Sequence, residues 1–171
     1  MNIRAVEHTI ESERLILMPF TAQSLALFNA DVSAFEKLYG VKYCGEDLNG
    51  EYKSFLKKIE QNIAADPENY LFFTVFSIIV KETGKIVGSI DFKYAPKNSV
   101  TEVGYGLNPE YRGKGFMTEA LSAFLNFGKK LGVKSVIAET LKDNVKSQNV
   151  LRRCGFKVLC EDKNILWEKK L

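Results

Sequence analysis

One glycine-rich segment of this chain has the order of elements that binds phosphate. Apolar residues alternate over 100–107 and predict a strand, Asn108-Pro109 ends it, and an amphipathic helix begins near Phe116. Gly113 and Gly115 therefore lie immediately before a helix N-terminus. The first N–H groups of a helix have no partner within it, and the helix dipole places partial positive charge at the same end. The segment thus predicts an anion site, and phosphate suits it best.

The predicted donors are main-chain amides, joined by two basic side chains. Glycine admits positive φ and lets a ligand approach without meeting a Cβ, while Arg112 and Lys114 add full charges beside the loop. A nucleotide P-loop would need a glycine in place of Asn108 and a hydroxyl residue in place of Gly115, and the dinucleotide pattern would need a glycine in place of Thr118. Neither pattern fits. The candidate amide donors are Gly113, Lys114, Gly115, Phe116, Met117 and Thr118.

The composition is typical of one globular domain, residues 1–171, without a nucleic-acid or membrane signature. Of 171 residues 46% are hydrophobic, and 24 basic against 21 acidic residues give a net charge of +3 without a concentrated basic tract. No apolar run is long enough to span a membrane and the N-terminus lacks the layout of a signal peptide, so we expect a cytoplasmic location. Three cysteines without a C-x-x-C pair and a single histidine predict neither a metal site nor a disulfide framework.

The patterns along the whole chain predict a mixed α/β domain. The helix after the glycine-rich loop ends at Gly132, and the crossover through it makes the strand over 135–140 parallel to the one before the loop. The other predicted elements are a strand over 9–20, a helical region over 21–39 that breaks near Asp31, a loop over 40–50, an amphipathic helix from Tyr52 to Asp66-Pro67, strands over 70–80 and 85–94 that form an antiparallel set with 100–107, a helix over 144–154, and a final hairpin of 156–159 with 165–169.

Several motifs, in this order along the chain, resemble those of one enzyme family. The loop with Arg112 and Gly115 resembles the Q/R-x-x-G-x-G/A pattern of the GNAT N-acetyltransferases, with Met117 as a bulky departure at its last position. Within this family the chain most resembles the RimJ/RimL-like branch. Residues 102–107 (Glu-Val-Gly-Tyr-Gly-Leu) are similar to its E-[IV]-G-Y-x-L motif, and residues 113–121 to its G-K-G-[YF]-x-T-E-A-L motif. Residues 144–147 are similar to its N-x-x-S, residues 154–156 contain its closing G-F, and residues 9–15 resemble its opening T-x-R-L strand more loosely.

This resemblance implies a fold and an activity. The fold is a single-domain GNAT fold, a mixed and mostly antiparallel sheet with helices on both faces and a splayed pair of parallel strands at the cofactor site. The activity is transfer of acetyl from acetyl-CoA directly to a primary amine in a ternary complex, without a metal or a covalent enzyme intermediate. The implied acceptor is a protein N-terminus or a small amine, and we expect a monomer or homodimer with no nucleic-acid or membrane partner.

The resemblance also implies roles around the thioester. The Leu107 backbone would bind pantetheine, and the Tyr105 N–H would stabilise the developing oxyanion. Asn144 would hydrogen-bond the pantetheine amides, serve as a helix N-cap, or do both. Ser147 would protonate the departing thiolate. From its position on the strand beside Tyr105, Glu102 is the best candidate base for the amine proton, with a water chain or a purely structural carboxylate as alternatives.

Two other functions stay open at this point. A non-catalytic acyl-CoA-binding or sensor protein is favoured if Met117 narrows the loop and if neither Glu102 nor Ser147 faces the thioester. A nucleotide-binding domain is a more distant rival. The helices over 21–63 and their loop would wall the acceptor pocket by the same resemblance, and the acidic residues there, Glu46, Asp47 and Glu51, would suit a cationic acceptor.

Overall fold

The structure, a computed structural model, describes residue 3, residues 6–45 and residues 50–171. Its strands are β1 (Ile10–Glu11), β2 (Leu15–Pro19), β3 (Lys42–Tyr43), β4 (Val75–Val80), β5 (Lys85–Phe92), β6 (Val100–Leu107), β7 (Ser135–Thr140), β8 (Lys157–Glu161) and β9 (Ile165–Lys170). Its α-helices are α1 (Ala22–Ala30), α2 (Val32–Tyr39), α3 (Gly50–Ala65), α4 (Phe116–Lys130) and α5 (Val145–Arg153).

The strands form one mixed sheet that is mostly antiparallel. Its order is β1-β2-β4-β5-β6-β7-β9-β8, and β3 pairs with β5 outside this path. The pairs β6–β7 and β3–β5 are parallel, whereas the other pairs are antiparallel. The crossover from β6 to β7 runs through α4, as the connection between parallel neighbours requires.

Helices cover both faces of the sheet and bury a separate apolar cluster on each. On one face α4 and α5 pack on β2, β4, β5 and β6, with Phe124 and Leu151 fully buried. On the other face α1, α2 and α3 enclose a second cluster that contains Phe28, Phe35 and Leu56. The predicted mixed sheet with helices on both faces is therefore confirmed.

Local capping explains the break between α1 and α2. Thr21 begins α1 with a capping box, in which its side chain accepts from the Ser24 N–H and the Ser24 hydroxyl accepts from the Thr21 N–H. Asp31 ends α1 in an extended conformation and caps α2 by accepting from the Ala34 N–H at 2.9 Å. One aspartate thus closes one helix and opens the next, and the predicted break near Asp31 is confirmed.

Three of the predicted elements were wrong in their bounds. The first strand is two strands, because the chain turns at residues 12–14. The apolar run that begins at Tyr70 forms a 3-10 helix, Pro67–Phe72, before β4, because Asp66 caps it through the Asn69 N–H at 3.2 Å. The predicted loop over 40–50 contains the short strand β3, whose partner β5 lies far along the chain.

The described residues lack two kinds of feature. None of their helices is both long enough and apolar enough to cross a bilayer. Nor do they group three or more His, Cys, Asp or Glu side chains in a way that could hold a metal ion. All three cysteines are free, and Cys154 packs in the core as a buried side chain.

Candidate active site

The glycine-rich loop ends in two left-handed residues at the start of α4. Gly113 has φ of 76° and Gly115, the N-cap residue, has φ of 79°, a region that residues with a Cβ rarely adopt. No side chain caps this helix. Among the residues that the structure describes, none accepts a hydrogen bond from the amides of residues 113–118 outside helix α4, whose first bond is from Glu119 N to Gly115 O at 3.1 Å. The loop therefore presents a row of free N–H donors at a helix N-terminus.

These amides face an open cleft of about 580 Å³ between the loop, the end of β6 and the first turns of α5. Most of the predicted site residues meet here. The lining residues are Tyr105, Gly106, Leu107, Arg112, Gly113, Gly115, Phe116, Met117, Thr118, Asn144, Lys146, Ser147, Asn149, Val150 and Arg153. Lys114 and Glu102 are the two predicted residues outside this lining.

The cleft exists because strands β6 and β7 diverge after a short paired segment. They pair only from Val100 to Glu102 on β6 and from Ser135 to Ile137 on β7, after which β7 continues against β9 and β6 against β5. This is the splayed parallel pair that the family resemblance implied. The last residues of β6 therefore have a neighbouring strand on one side only.

The β5–β6 ladder determines which residues of β6 face the open side. The bonds near its two ends, each 2.9 Å, run from Lys93 N–H to Glu102 O and from Asn108 N–H to Val87 O. By the antiparallel alternation the glycines at 104 and 106 bond toward β5. Tyr105 and Leu107 consequently direct their N–H groups toward the gap left by β7.

Tyr105 also contributes a side chain that the sequence did not single out. Its hydroxyl lies 2.8 Å from Ser147 Oγ and 3.4 Å from the Ser147 carbonyl. Burial raises the pKa of Tyr105 to about 12, partly opposed by the hydrogen bond with Ser147, so the phenol stays protonated at neutral pH. Asn144 caps α5 by accepting from the Ser147 N–H at 3.2 Å, which fixes the start of the helix that carries the serine.

Two residues of the loop have roles different from those the motif suggested. Met117 is only 6% exposed and packs in the core cluster beneath α4, so its bulk lies inward and leaves the main-chain N–H row open. The Lys114 Nζ lies 5.2 Å from the Tyr111 ring centroid, outside the cleft. Arg112 does line the cleft, and its Nε donates to the Leu107 carbonyl at 3.0 Å.

Arg14 holds the loop in place, although the motif that contains it indicated only the first strand. Arg14 Nε donates to Glu119 Oε2 at 2.7 Å, Nη1 donates to the Lys114 carbonyl at 3.1 Å, and the guanidinium lies 4.8 Å from the Phe116 ring centroid. Glu119 also accepts from the Arg14 N–H and from the Ser12 hydroxyl. Burial acts to raise the pKa of Glu119, but these hydrogen bonds and the arginine charge outweigh it and lower the pKa.

A second, smaller cavity lies on the other side of β6. Its volume is about 310 Å³, and its wall shares Gly106, Leu107 and Arg112 with the larger cleft. The Asn108 side chain donates to the Cys44 carbonyl and thereby ties the end of β6 to the segment after β3 that borders this cavity. The two cavities therefore meet at the end of one strand.

Glu102 lies on the face of the sheet that carries the smaller cavity. Its side chain alternates with that of Tyr105, and it follows the same face as Gly104 and Gly106. Burial raises the pKa of Glu102, and the charges of Glu139 and Asp91 add to this while Lys93 opposes it. At about 3.4 Å per residue, Glu102 stands roughly 14 Å along the strand from Gly106.

Asp91 stands between Glu102 and the meeting point of the cavities. It pairs with Gly104 across β5–β6 and forms an ion pair with Lys93 Nζ at 2.8 Å. Burial raises the pKa of Asp91 although Lys93 acts to lower it. The Lys93 side chain occupies the space that a Cβ on residue 104 would need, so packing explains why this position is a glycine. No local pattern in the sequence distinguished Asp91 from any other strand residue.

Three acidic residues, Glu46, Asp47 and Glu51, were predicted at the acceptor wall. Glu46 and Asp47 lie outside the described residues, and the side chain of Glu51 is likewise not described. The described residues that line the smaller cavity include one formally charged side chain, Arg112.

Comparison with known proteins identifies the family pattern in this chain. The family model described as "Acetyltransferase (GNAT) domain" matches residues 14–157. The Bacillus subtilis (strain 168) protein "Uncharacterized N-acetyltransferase YjdG" is 27% identical over 153 residues, which cover 86% of this chain and 88% of the relative. Another protein of that strain, "Uncharacterized N-acetyltransferase YnaD", is 31% identical over 84 residues, which span 48% of this chain and only 49% of the relative.

A solved structure extends the likeness to the whole fold. The ribosomal-protein-S5-alanine acetyltransferase from Vibrio fischeri superposes with a TM-score of 0.71, covering 96% of this chain and 97% of that one at 20% identity. At this identity the match concerns the fold.

Proposed function

The chain belongs to the GNAT acetyltransferase family and is an acetyl-CoA-dependent acetyltransferase, and from this premise we propose that it transfers acetyl directly to a primary amine within a ternary complex. The observation that carries the proposal is the meeting of two cavities at Gly106 and Leu107. One cavity suits the donor and the other the acceptor, so the amine and the thioester can meet without a covalent enzyme intermediate. We place the enzyme in the cytoplasm, as a monomer or homodimer.

The larger cleft holds the donor. The free amides of residues 113–118 bind the diphosphate at the N-terminus of α4, with Arg112 adding charge at the edge of the loop. The pantetheine arm lies in the gap between β6 and β7, where the Leu107 main chain and Asn144 supply polar partners. Met117 takes part through its N–H alone, because its side chain is buried in the core.

The Tyr105 main chain stabilises the charge that develops during transfer. Its N–H faces the gap left by β7, beside the position of the thioester carbonyl. When the amine attacks, the carbonyl oxygen becomes an oxyanion, and a fixed N–H donor favours that charge over the neutral ground state. Donors of this kind are worth about 3 kcal/mol in barrier height.

Ser147 assists the departure of the thiolate. The buried Tyr105 phenol stays protonated and is therefore able to donate in the 2.8 Å bond to Ser147 Oγ. In this proposal it does so, which leaves the serine proton free for the sulfur. As the carbon–sulfur bond breaks, the serine hydroxyl gives its proton to the leaving sulfur, the coenzyme leaves as a thiol, and the serine oxygen regains a proton from water in the open cleft. Tyr105 thus acts at this step through Ser147.

The proton of the attacking amine leaves on the opposite face. Glu102 is the terminal base in this proposal, and a water chain must connect it, since it lies roughly 14 Å from Gly106 along the strand. Asp91 lies on that path beside Gly104. The raised pKa of each carboxyl brings it nearer to the working pH of a base.

The acceptor in this proposal is a protein N-terminus or a small amine. The Vibrio fischeri relative, named for acetylating alanine of a ribosomal protein, supports an N-terminal amine. The non-catalytic alternative required a Met117 that narrows the loop and required that neither Glu102 nor Ser147 face the thioester. It is not favoured, because the Met117 side chain is buried in the core and Ser147 lines the cleft, although Glu102 does not.

The test is thiol release from acetyl-CoA with a panel of amines that includes N-terminal peptides of ribosomal proteins and small amines. We expect amine-dependent release for at least one acceptor, and a loss of about a hundredfold in kcat for Ser147→Ala with acetyl-CoA affinity kept. Tight acetyl-CoA binding without turnover of any acceptor would refute the proposed transfer. Ser33→Ala, on the exposed face of α2, is the matched control.

A further inference from the structure

The floor of the smaller cavity contains a pair of serines that the mechanism does not use. Ser77 on β4 and Ser89 on β5 are direct partners across the ladder, and both line the cavity. Ser77 is 97% buried, since its relative exposure is 3%. Within the described part of the chain neither hydroxyl has a hydrogen-bond partner. The Ser77 oxygen is not among the fully buried side-chain atoms that lack a partner, so it opens onto the cavity, where a hydrogen-bonding group of a ligand can reach it.

This floor lies next to the reaction centre. Ser89 is the direct partner of Gly106 on β6, where the acceptor cavity meets the donor cleft. Directly opposite residues of antiparallel strands are about 5 Å apart. A group a few bonds away from the reacting nitrogen would therefore reach the two hydroxyls.

The described walls above the serines are mostly aromatic. Phe20, Phe28, Tyr43 and Tyr52 line them, and the Phe28 and Tyr43 rings meet edge to face at 5.1 Å between centroids. The formal charge contributed by the described lining is that of Arg112, which is positive. Such walls suit an apolar body, and a positive charge at the rim disfavours a polycation.

We propose that the acceptor carries an uncharged hydrogen-bonding group, an amide or a hydroxyl, a few bonds from the reacting amine, and that Ser77 and Ser89 bind this group. The apolar remainder of the acceptor packs against the four aromatic walls. This inference rests on the proposed amine acetyltransfer and narrows its substrate class. It differs from the expectation of a cationic acceptor, which rested on Glu46, Asp47 and Glu51.

The test compares three acceptors in the same thiol-release assay. Phenylalaninamide has the apolar body and the amide, phenethylamine lacks the amide, and spermidine is a polycation. The measured quantity is the ratio of kcat/KM for phenylalaninamide to that for phenethylamine. Comparing this ratio between variants cancels the difference in pKa between the two amines.

Ser77→Ala and Ser89→Ala should each lower this ratio about tenfold, the loss expected for one hydrogen bond to a bound group. Ser33→Ala should leave it unchanged. An unchanged ratio in both floor variants, or spermidine as the best acceptor of the wild-type protein, overturns the inference while leaving amine transfer in place. Failure of all three acceptors in a protein that acetylates another amine of the panel overturns the inference alone, whereas failure of every amine in a protein that binds acetyl-CoA overturns the inference together with the proposed function.

Discussion

The hydrogen bond between Tyr105 and Ser147 leads to a quantitative prediction about catalysis. Tyr105→Phe removes one hydroxyl and leaves the ring, the Ser147 side chain and the backbone N–H of residue 105 in place. The bond is an ordinary one at 2.8 Å, and the net value of such a bond is about 1 kcal/mol. Since each 1.36 kcal/mol is a factor of ten in rate, kcat should fall about five- to tenfold.

Because Tyr105 acts through Ser147, the two substitutions should not add. Ser147→Ala alone should lower kcat about a hundredfold, and the double variant Tyr105→Phe/Ser147→Ala should equal Ser147→Ala within a factor of about two. The assay is thiol release at saturating acetyl-CoA, with the acetyl-CoA Kd measured by calorimetry to show that binding is kept.

A double variant whose loss is the product of the two single losses would refute the reasoning, because the two hydroxyls would then act independently. Tyr70→Phe serves as control, since Tyr70 lies in the 3-10 helix Pro67–Phe72 and lines neither cavity.

Four further predictions concern charge and packing. A base works only when it is ionised, so kcat should fall at acid pH as Glu102 becomes protonated, and the raised pKa of Glu102 places this fall above the usual Glu range. Glu102→Gln should remove this fall from the pH profile of kcat. If the fall persists in the variant, Glu102 is not the base. The lowered pKa of Glu119 stabilises the fold above the pKa of this group in the unfolded chain, and this stability is lost as pH falls through its pKa in the folded protein. In urea unfolding, Glu119→Gln should therefore lower the free energy of unfolding at pH 7 but not at acid pH. An equal loss at both pH values would contradict this. Met117→Ala should cost about 2–5 kcal/mol of stability, yet change the acetyl-CoA Kd less than about threefold, and tighter binding would instead identify a side chain that narrows the cleft. Gly115→Ala forces a Cβ into the left-handed region and should weaken acetyl-CoA binding about tenfold by calorimetry, whereas an unchanged Kd would dissociate the loop conformation from binding.

The parts of the site that the sequence predicted are those encoded over short distances. The glycine-rich loop lies between a strand and a helix whose periodicities are visible in sequence, so its place before the α4 N-terminus followed directly. The asparagine cap of α5 is likewise a contact over three residues, from Ser147 N to Asn144 Oδ1. Where residue type, spacing and element agree within one turn or one loop, local pattern is sufficient.

The missed parts of the site depend on distant pairing. Arg14 and Glu119 are 105 residues apart in the chain. Ser77 becomes a candidate binding residue only because the strand register places it opposite Ser89. Asp91 becomes a candidate for proton transfer only because β5 brings it beside Gly104. Register and ladder pairing are tertiary outcomes that period-two alternation does not specify.

The misassigned run at Tyr70 has a different cause. Its dense aromatic and β-branched residues fit a buried strand, and a short apolar run does not distinguish strand from helix by periodicity. The deciding feature was polar, the capping of the turn at Asp66.

The one-sided pairing of β6 has a consequence for hydrogen–deuterium exchange. The amides of Tyr105 and Leu107 face the gap left by β7, whereas those of their glycine neighbours bond within the β5 ladder. In the unliganded protein these two amides should therefore exchange quickly although they belong to a central strand, while the glycine amides exchange slowly. A ligand in the gap would act as the missing neighbour strand, so residue-resolved exchange could follow cofactor occupancy at single amides without any labelled substrate.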